Sequence, residues 1–192
     1  MRHTFRVSPL AVVLCVLLTA SLACAVSVEG PTPPGSPIPV STEAAGQLDE
    51  LWKNAVANPK NGKVSIVVNE TQLTSFVAAQ LAASKDTVIS NPQVYLRDNK
   101  IQIYGTAKAG DITTTVSAAF STTVSEQGTL EFQVASANFG PVTLPTDLLA
   151  RLSIMLNDAL TGSLSDMAIG VKLDSVVISD GEMTIAGTLA PK

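Results

Sequence analysis

The stretch Ile112–Val124, ITTTVSAAFSTTV, constrains the fold more than any other part of this chain. Successive side chains of a strand point to opposite faces. Ile112, Thr114, Val116, Ala118, Phe120 and Val124 therefore share one side, and Thr113, Thr115, Ser117, Ser121 and Thr123 the other. No charge occurs between Asp111 and Glu126. A strand this long and this free of charge needs neighbouring strands at its edges and an apolar layer over one face. The flanking sequence supplies the strands. Glu126-Gln127-Gly128 turns the chain into residues 129–139, where Leu130, Phe132 and Val134 alternate again. Residues 93–106 (QVYLRDNKIQIYGT) alternate on both sides of Asp98-Asn99, and residues 171–178 and 182–189 flank Asp180-Gly181, so each reads as a hairpin.

Helical spacing appears in three places. Ser41 or Thr42 can cap a first helix carrying Leu48, Leu51, Trp52, Ala55 and Val56, which Asn58-Pro59 stops. Trp52 suits packing in that helix better than ligand stacking. A short β-branched strand, KVSIVV at 63–68, precedes Asn69-Glu70-Thr71-Gln72, a capping box ahead of Leu73, Phe76, Val77 and Leu81; it predicts a second helix over about 70–83. The sequon Asn69-Glu70-Thr71 is taken as that cap rather than a glycosylation site. Pro145 and Asp147 open a third helix. On it Leu148, Leu149, Leu152, Met155, Leu156, Ala159, Leu160 and Leu164 form a broad apolar face opposite Asp147, Arg151 and Asp158. The expected fold is α+β: a mainly antiparallel, curved sheet of hairpins packed on two or three amphipathic helices. The two hairpins also align without a gap at an offset of 82 residues, Val94, Leu96, Ile101, Ile103 and Gly105 matching Val176, Ile178, Met183, Ile185 and Gly187.

The N-terminus reads as an export signal over residues 1–23, with Arg2 and Arg6 before the apolar run AVVLCVLL at 11–18. Ser21-Leu22-Ala23-Cys24 resembles the lipobox of bacterial lipoproteins, which makes Cys24 the acylated first residue. Ala23-Cys24-Ala25 equally offers an ordinary secretory cleavage site, and residues 7–28 carry no charge over about the length of a membrane span. Residues 24–41 include Pro31, Pro33, Pro34, Pro37 and Pro39, the composition of a stiff extended tether. The single domain is expected over 42–192, and the expected location is the cell membrane or cell surface, lipid-anchored, with secretion as the alternative.

Composition narrows the function. Without Arg2 and Arg6, ten basic residues face 16 acidic ones, which disfavours nucleic acid as a partner. His3, Cys15 and Cys24 are the only histidine and cysteines, so residues 42–192 lack Ser-His-Asp or Cys-His machinery, imidazole or thiolate metal ligands and internal disulfides. No G-x-S-x-G, S-x-x-K or P-loop pattern occurs. The chain is read as non-enzymatic and cofactor-free.

The element order resembles the LmeA-like phospholipid-binding family of bacterial envelopes, which shares broad likeness with tubular lipid-binding proteins. The resemblance rests on VSIVVNETQLTSFVAAQL, VYLRDNKIQIYGT, LPTDLLARLSIMLNDAL and VVISDGEMTIAGTL. It implies a curved sheet around long helices and an apolar groove for phospholipid or fatty-acyl chains. The candidate lining is Phe76 from the second helix, Val116 and Phe120 from the long strand, and Phe132 and Val134 from its neighbour. Leu152, Met155 and Leu156 from the third helix and Met183 and Ile185 from the last hairpin complete it. The alternative is a surface-tethered structural or adaptor domain that binds protein partners.

Overall fold

The computed structural model describes residues 27–28, 30–83, 89–109, 112–140, 142–143, 146–147, 150, 154 and 171–189. The architecture is α+β, two curved antiparallel sheets with helices at their flank. Strands β3 (Ile89–Arg97), β4 (Lys100–Ala109), β5 (Ile112–Val124), β6 (Leu130–Phe139) and β7 (Val142–Thr143) pair in chain order, and β1 (Ser27–Val28) joins β5 in parallel. A second sheet has the order β2 (Lys63–Asn69), β9 (Glu182–Leu189), β8 (Val171–Ser179). Register shifts within β3–β4, between Ala119 and Phe120 on β5, and within β8 mark the bulges that bend a sheet.

The helices start where the sequence signals say. Helix α1 (Thr42–Ala57) is capped by Ser41, whose hydroxyl accepts the Ala44 N–H at 3.0 Å. Helix α2 (Glu70–Ala83) opens with a reciprocal capping box: Gln72 N–H donates to Asn69 Oδ1 (2.9 Å) and Asn69 N–H to Gln72 Oε1 (3.0 Å). Asn69 of the sequon is thus the helix cap. α2 also closes the edge of the large sheet. The Thr74 hydroxyl, fully buried, takes the Val94 N–H at 3.0 Å and faces the Val94 carbonyl at 3.4 Å, so the outermost strand presents no free ladder there. The expected third helix lies largely outside the described residues.

The internal repeat is carried into three dimensions. Leu96 faces Ile101 and Val94 faces Ile103 in one hairpin; Ile178 faces Met183 and Val176 faces Ile185 in the other. The two hairpins pack face to face, and Val94, Leu96, Ile101, Ile178 and Met183 form the core between the sheets, with Leu73 and Val77 of α2 against it. The two hairpins find their third strands differently: β9 takes β2 from far back in the chain, whereas β4 takes β5, the strand that follows it.

Glu70 ties this junction. Its carboxylate accepts the Leu96 N–H at 2.8 Å and pairs with the Arg97 guanidinium, its own N–H donates to the Gly181 carbonyl at 3.2 Å, and Gly181 N–H donates to Leu96 O at 3.0 Å. Helix start, hairpin end and hairpin turn meet at one carboxylate. Glu70→Ala strands the Leu96 N–H, and because Arg97 is partly solvated the loss should be about 2 kcal/mol, not the full value of a buried pair. Urea unfolding checks this; Glu70→Gln, which keeps an acceptor, should recover part of it.

Within the proline-rich segment, expected as an extended tether, residues 30–41 are laid against the large sheet and α2. Ile38 N–H donates to Gln93 Oε1 (2.6 Å), Gln93 Nε2 returns a bond to Ile38 O (3.3 Å), and the Tyr95 hydroxyl reaches the carbonyls of Ser36 (3.1 Å) and Gly35 (3.3 Å). Ser41 N–H donates to Ser75 Oγ at 3.1 Å. A Cβ on Gly30 would lie 2.3 Å from Thr115 O, so only glycine permits that approach. An extended proline-rich backbone makes no internal hydrogen bonds, so the carbonyls of Gly35, Ser36 and Ile38 are free to accept from Tyr95 and Gln93 on the sheet's outer face. That pairing has no signature in local sequence.

Candidate functional site: an uncharged sheet face

Register decides which side chains share a face. Val94 and Leu96 on β3 oppose Ile103 and Ile101 on β4, and Gly105, Ile103 and Ile101 oppose Val116, Ala118 and Phe120 on β5. Across the next seam, Val116, Ala118, Phe120 and Thr122 oppose Phe139, Ala137, Val134 and Phe132 of β6. No charged side chain stands on this face from β3 to β6 at these positions. The reverse face holds Arg97, Gln102, Tyr104, Lys108, Ser117, Gln133, Glu131 and Asn138, and it carries the proline-rich strap.

The uncharged face has two regions. The three-stranded sheet covers the first, where Phe120 and Phe132 join Ile103, Val176 and Ile185 around the buried core. Further along, toward the start of β5, the side chains become small: Gly105, Thr114, Ala118 and Ala137, with Val116 buried and Phe139 49 % exposed at the rim. Large residues are needed to fill the space between layers about 10 Å apart. This region supplies few of them.

The candidate lining residues sort accordingly. Phe120, Phe132, Met183 and Ile185 come together in one cluster between the sheets. Val116 and Val134 are buried on the same face. Phe76 is half-buried on α2, beside Leu73 and Val77 rather than among the cluster residues. Leu152, Met155, Leu156 and Cys24 lie outside the described residues. The sequence reading missed Ile103, Ala118, Ala137 and Phe139. Their strands showed the alternation, but only register shows that all four stand on one surface.

Polar chemistry is sparse. Among the described residues no three His, Cys, Asp or Glu side chains converge on a point, and the side chains that carry buried polar atoms all have partners. Tyr95 and Tyr104 meet edge to face on the reverse side, centroids 5.8 Å apart, and burial holds both phenols above their usual range, Tyr95 further by the nearby Glu70 carboxylate. Those hydroxyls stay neutral at physiological pH.

A model of the LmeA-like phospholipid-binding family matches residues 35–188, most of the chain and all of the described sheet from β2 to β9 except its last residue. The chain belongs to that family. Its match begins within the strap, at Gly35, whose carbonyl lies at Tyr95. No curated protein and no solved structure matches the chain. The LmeA-like family is a lipid-binding one, and an uncharged sheet face is what a phospholipid's acyl chains require. Among the described residues no helix of this LmeA-like chain is long and apolar enough to cross a membrane.

Proposed function

We propose that the protein holds phospholipid acyl chains on the uncharged face of the large sheet, without catalysis, at the bacterial cell envelope, where an acylated Cys24 anchors it. The observation that carries this reading is the absence of charge on that face, from Val94 to Phe139, together with its small side chains near the start of β5. Burying about eight methylenes contributes about 6 kcal/mol at about 0.8 kcal/mol each, enough to offset the lower estimates of association cost, about 4 kcal/mol upward. The headgroup stays at the rim, since the face offers it no partner.

Native mass spectrometry of the purified protein tests this. A bound phospholipid is expected; a bare mass, with no uptake of a fluorescent fatty acid, would contradict it. One observation favours the adaptor reading: Val67 (48 % exposed) and Val177 (55 %) align through Thr184 on the outward face of the three-stranded sheet. If that row serves a protein partner, Val177→Glu abolishes partner capture and leaves the lipid mass unchanged.

A further inference from the structure

The strap fixes where the chain leaves the domain. Residues 41 to 30 pass from Ser75 on α2, over Gln93 and Tyr95 on β3, to Thr115 on β5; Ser27 and Val28 then pair with Thr113 and Thr114. The chain therefore departs at the β4–β5 end of the large sheet. From Ser27 to Cys24 is three residues, at most about 10 Å of extended chain. The same end carries Phe139, 49 % exposed at the rim of the small-residue region, and Lys108, exposed and in register with Thr113 on the reverse face.

We infer that this end of the sheet, around Phe139 and Lys108, docks on the lipid bilayer, and that the strap is what orients it there. The inference rests on the Cys24 anchor proposed above. An acylated cysteine within about 10 Å leaves the end of β5 no freedom to stand clear of the headgroups. Phe139 supplies an apolar side chain at the depth where aromatic rings partition, and Lys108 a positive charge toward anionic lipid. The opposite pole, the β5–β6 turn with Glu126 and Gln127, is about 40 Å off along a strand rising about 3.4 Å per residue. A phospholipid rising from the bilayer would then meet Phe139 first and the uncharged face directly behind it, without crossing water.

The test uses tryptophan quenching by brominated phosphatidylcholine in vesicles that also contain phosphatidylglycerol. Phe139→Trp and Gln127→Trp are each made in the full chain, with Trp52, the natural tryptophan, giving the parent signal. Quenching beyond the parent is expected to be several-fold stronger at 139 than at 127. A second pair carries Tyr95→Phe and Gln93→Ala, which remove the strap's side-chain bonds; there the difference should shrink toward none. Equal quenching at both poles, stronger quenching at 127, or a difference unchanged by loosening the strap would each overturn the inference, as would shielding of 139 that depends on protein concentration and not on vesicles. The mass of the N-terminal peptide reports acylation separately. If Cys24 proves unmodified, coupling its thiol to a maleimide lipid restores the tether, and the same comparison decides the docking.

Discussion

Ala118→Glu is expected to empty the protein of lipid while leaving its fold in place. Ala118 sits in the middle of the uncharged face, half-buried, opposite Ile103 on one side and Ala137 on the other. A carboxylate there has no cation within its own face to pair with, and an unpaired charge against apolar surface costs several kcal/mol. At about 1.4 kcal/mol per decade of affinity, occupancy should fall more than about tenfold. Gln133→Glu adds the same charge to the exposed reverse face and should leave the bound lipid unchanged. Native mass spectrometry reads both, and circular dichroism establishes that the strands persist.

Leu96→Ala is expected to have the largest effect on stability. Leu96 is fully buried at the centre of the cluster that joins the two hairpins, and its backbone is held at the same point by Glu70 and Gly181. Truncating a leucine so enclosed removes its transfer free energy and leaves a cavity, about 3 kcal/mol in all. For a domain of this size the melting temperature should drop by roughly 6–12 °C. Ile103→Ala, half-buried on the same face, should cost visibly less. A thermal scan in which Leu96→Ala and Ile103→Ala behave alike would mean that the core is not centred where the hairpins meet.

How far the sequence reached is best seen element by element. Strand Ile112–Val124, helix Thr42–Ala57 and the capping box at Asn69 follow from local signals, because alternation, caps and turn residues act within a few positions. The 82-residue echo between hairpins is legible too, since register in a two-residue hairpin is set by its turn. The division into two sheets is not, because alternation tells which side chains share a face of one strand and never which strand lies beside it. β2 could have joined either sheet on its pattern alone; it pairs with β9. The candidate site shows the same split. That Phe120, Phe132, Met183 and Ile185 point inward is legible because large apolar residues alternate along their strands, and they meet in one cluster between the sheets, whereas Ala118 and Ala137 stand out only once their neighbours across the register are known. The docking of the strap on the sheet is not legible for a related reason: its partners, Gln93 and Tyr95, stand 55 to 60 positions away in sequence.

The central claim is that acyl chains lie on the sheet face bearing Val116, Ala118, Ala137 and Phe139. A phospholipid with a photoreactive diazirine in its acyl chain, loaded into the protein and illuminated, puts that claim to the most direct test. Peptide mapping should place the adducts on β5 and β6 at those positions, with none on Gln133 or Ser117 of the reverse face. Adducts confined to the reverse face or to the outward row of Val67 and Val177, or no adduct anywhere with the lipid present in excess, would contradict it.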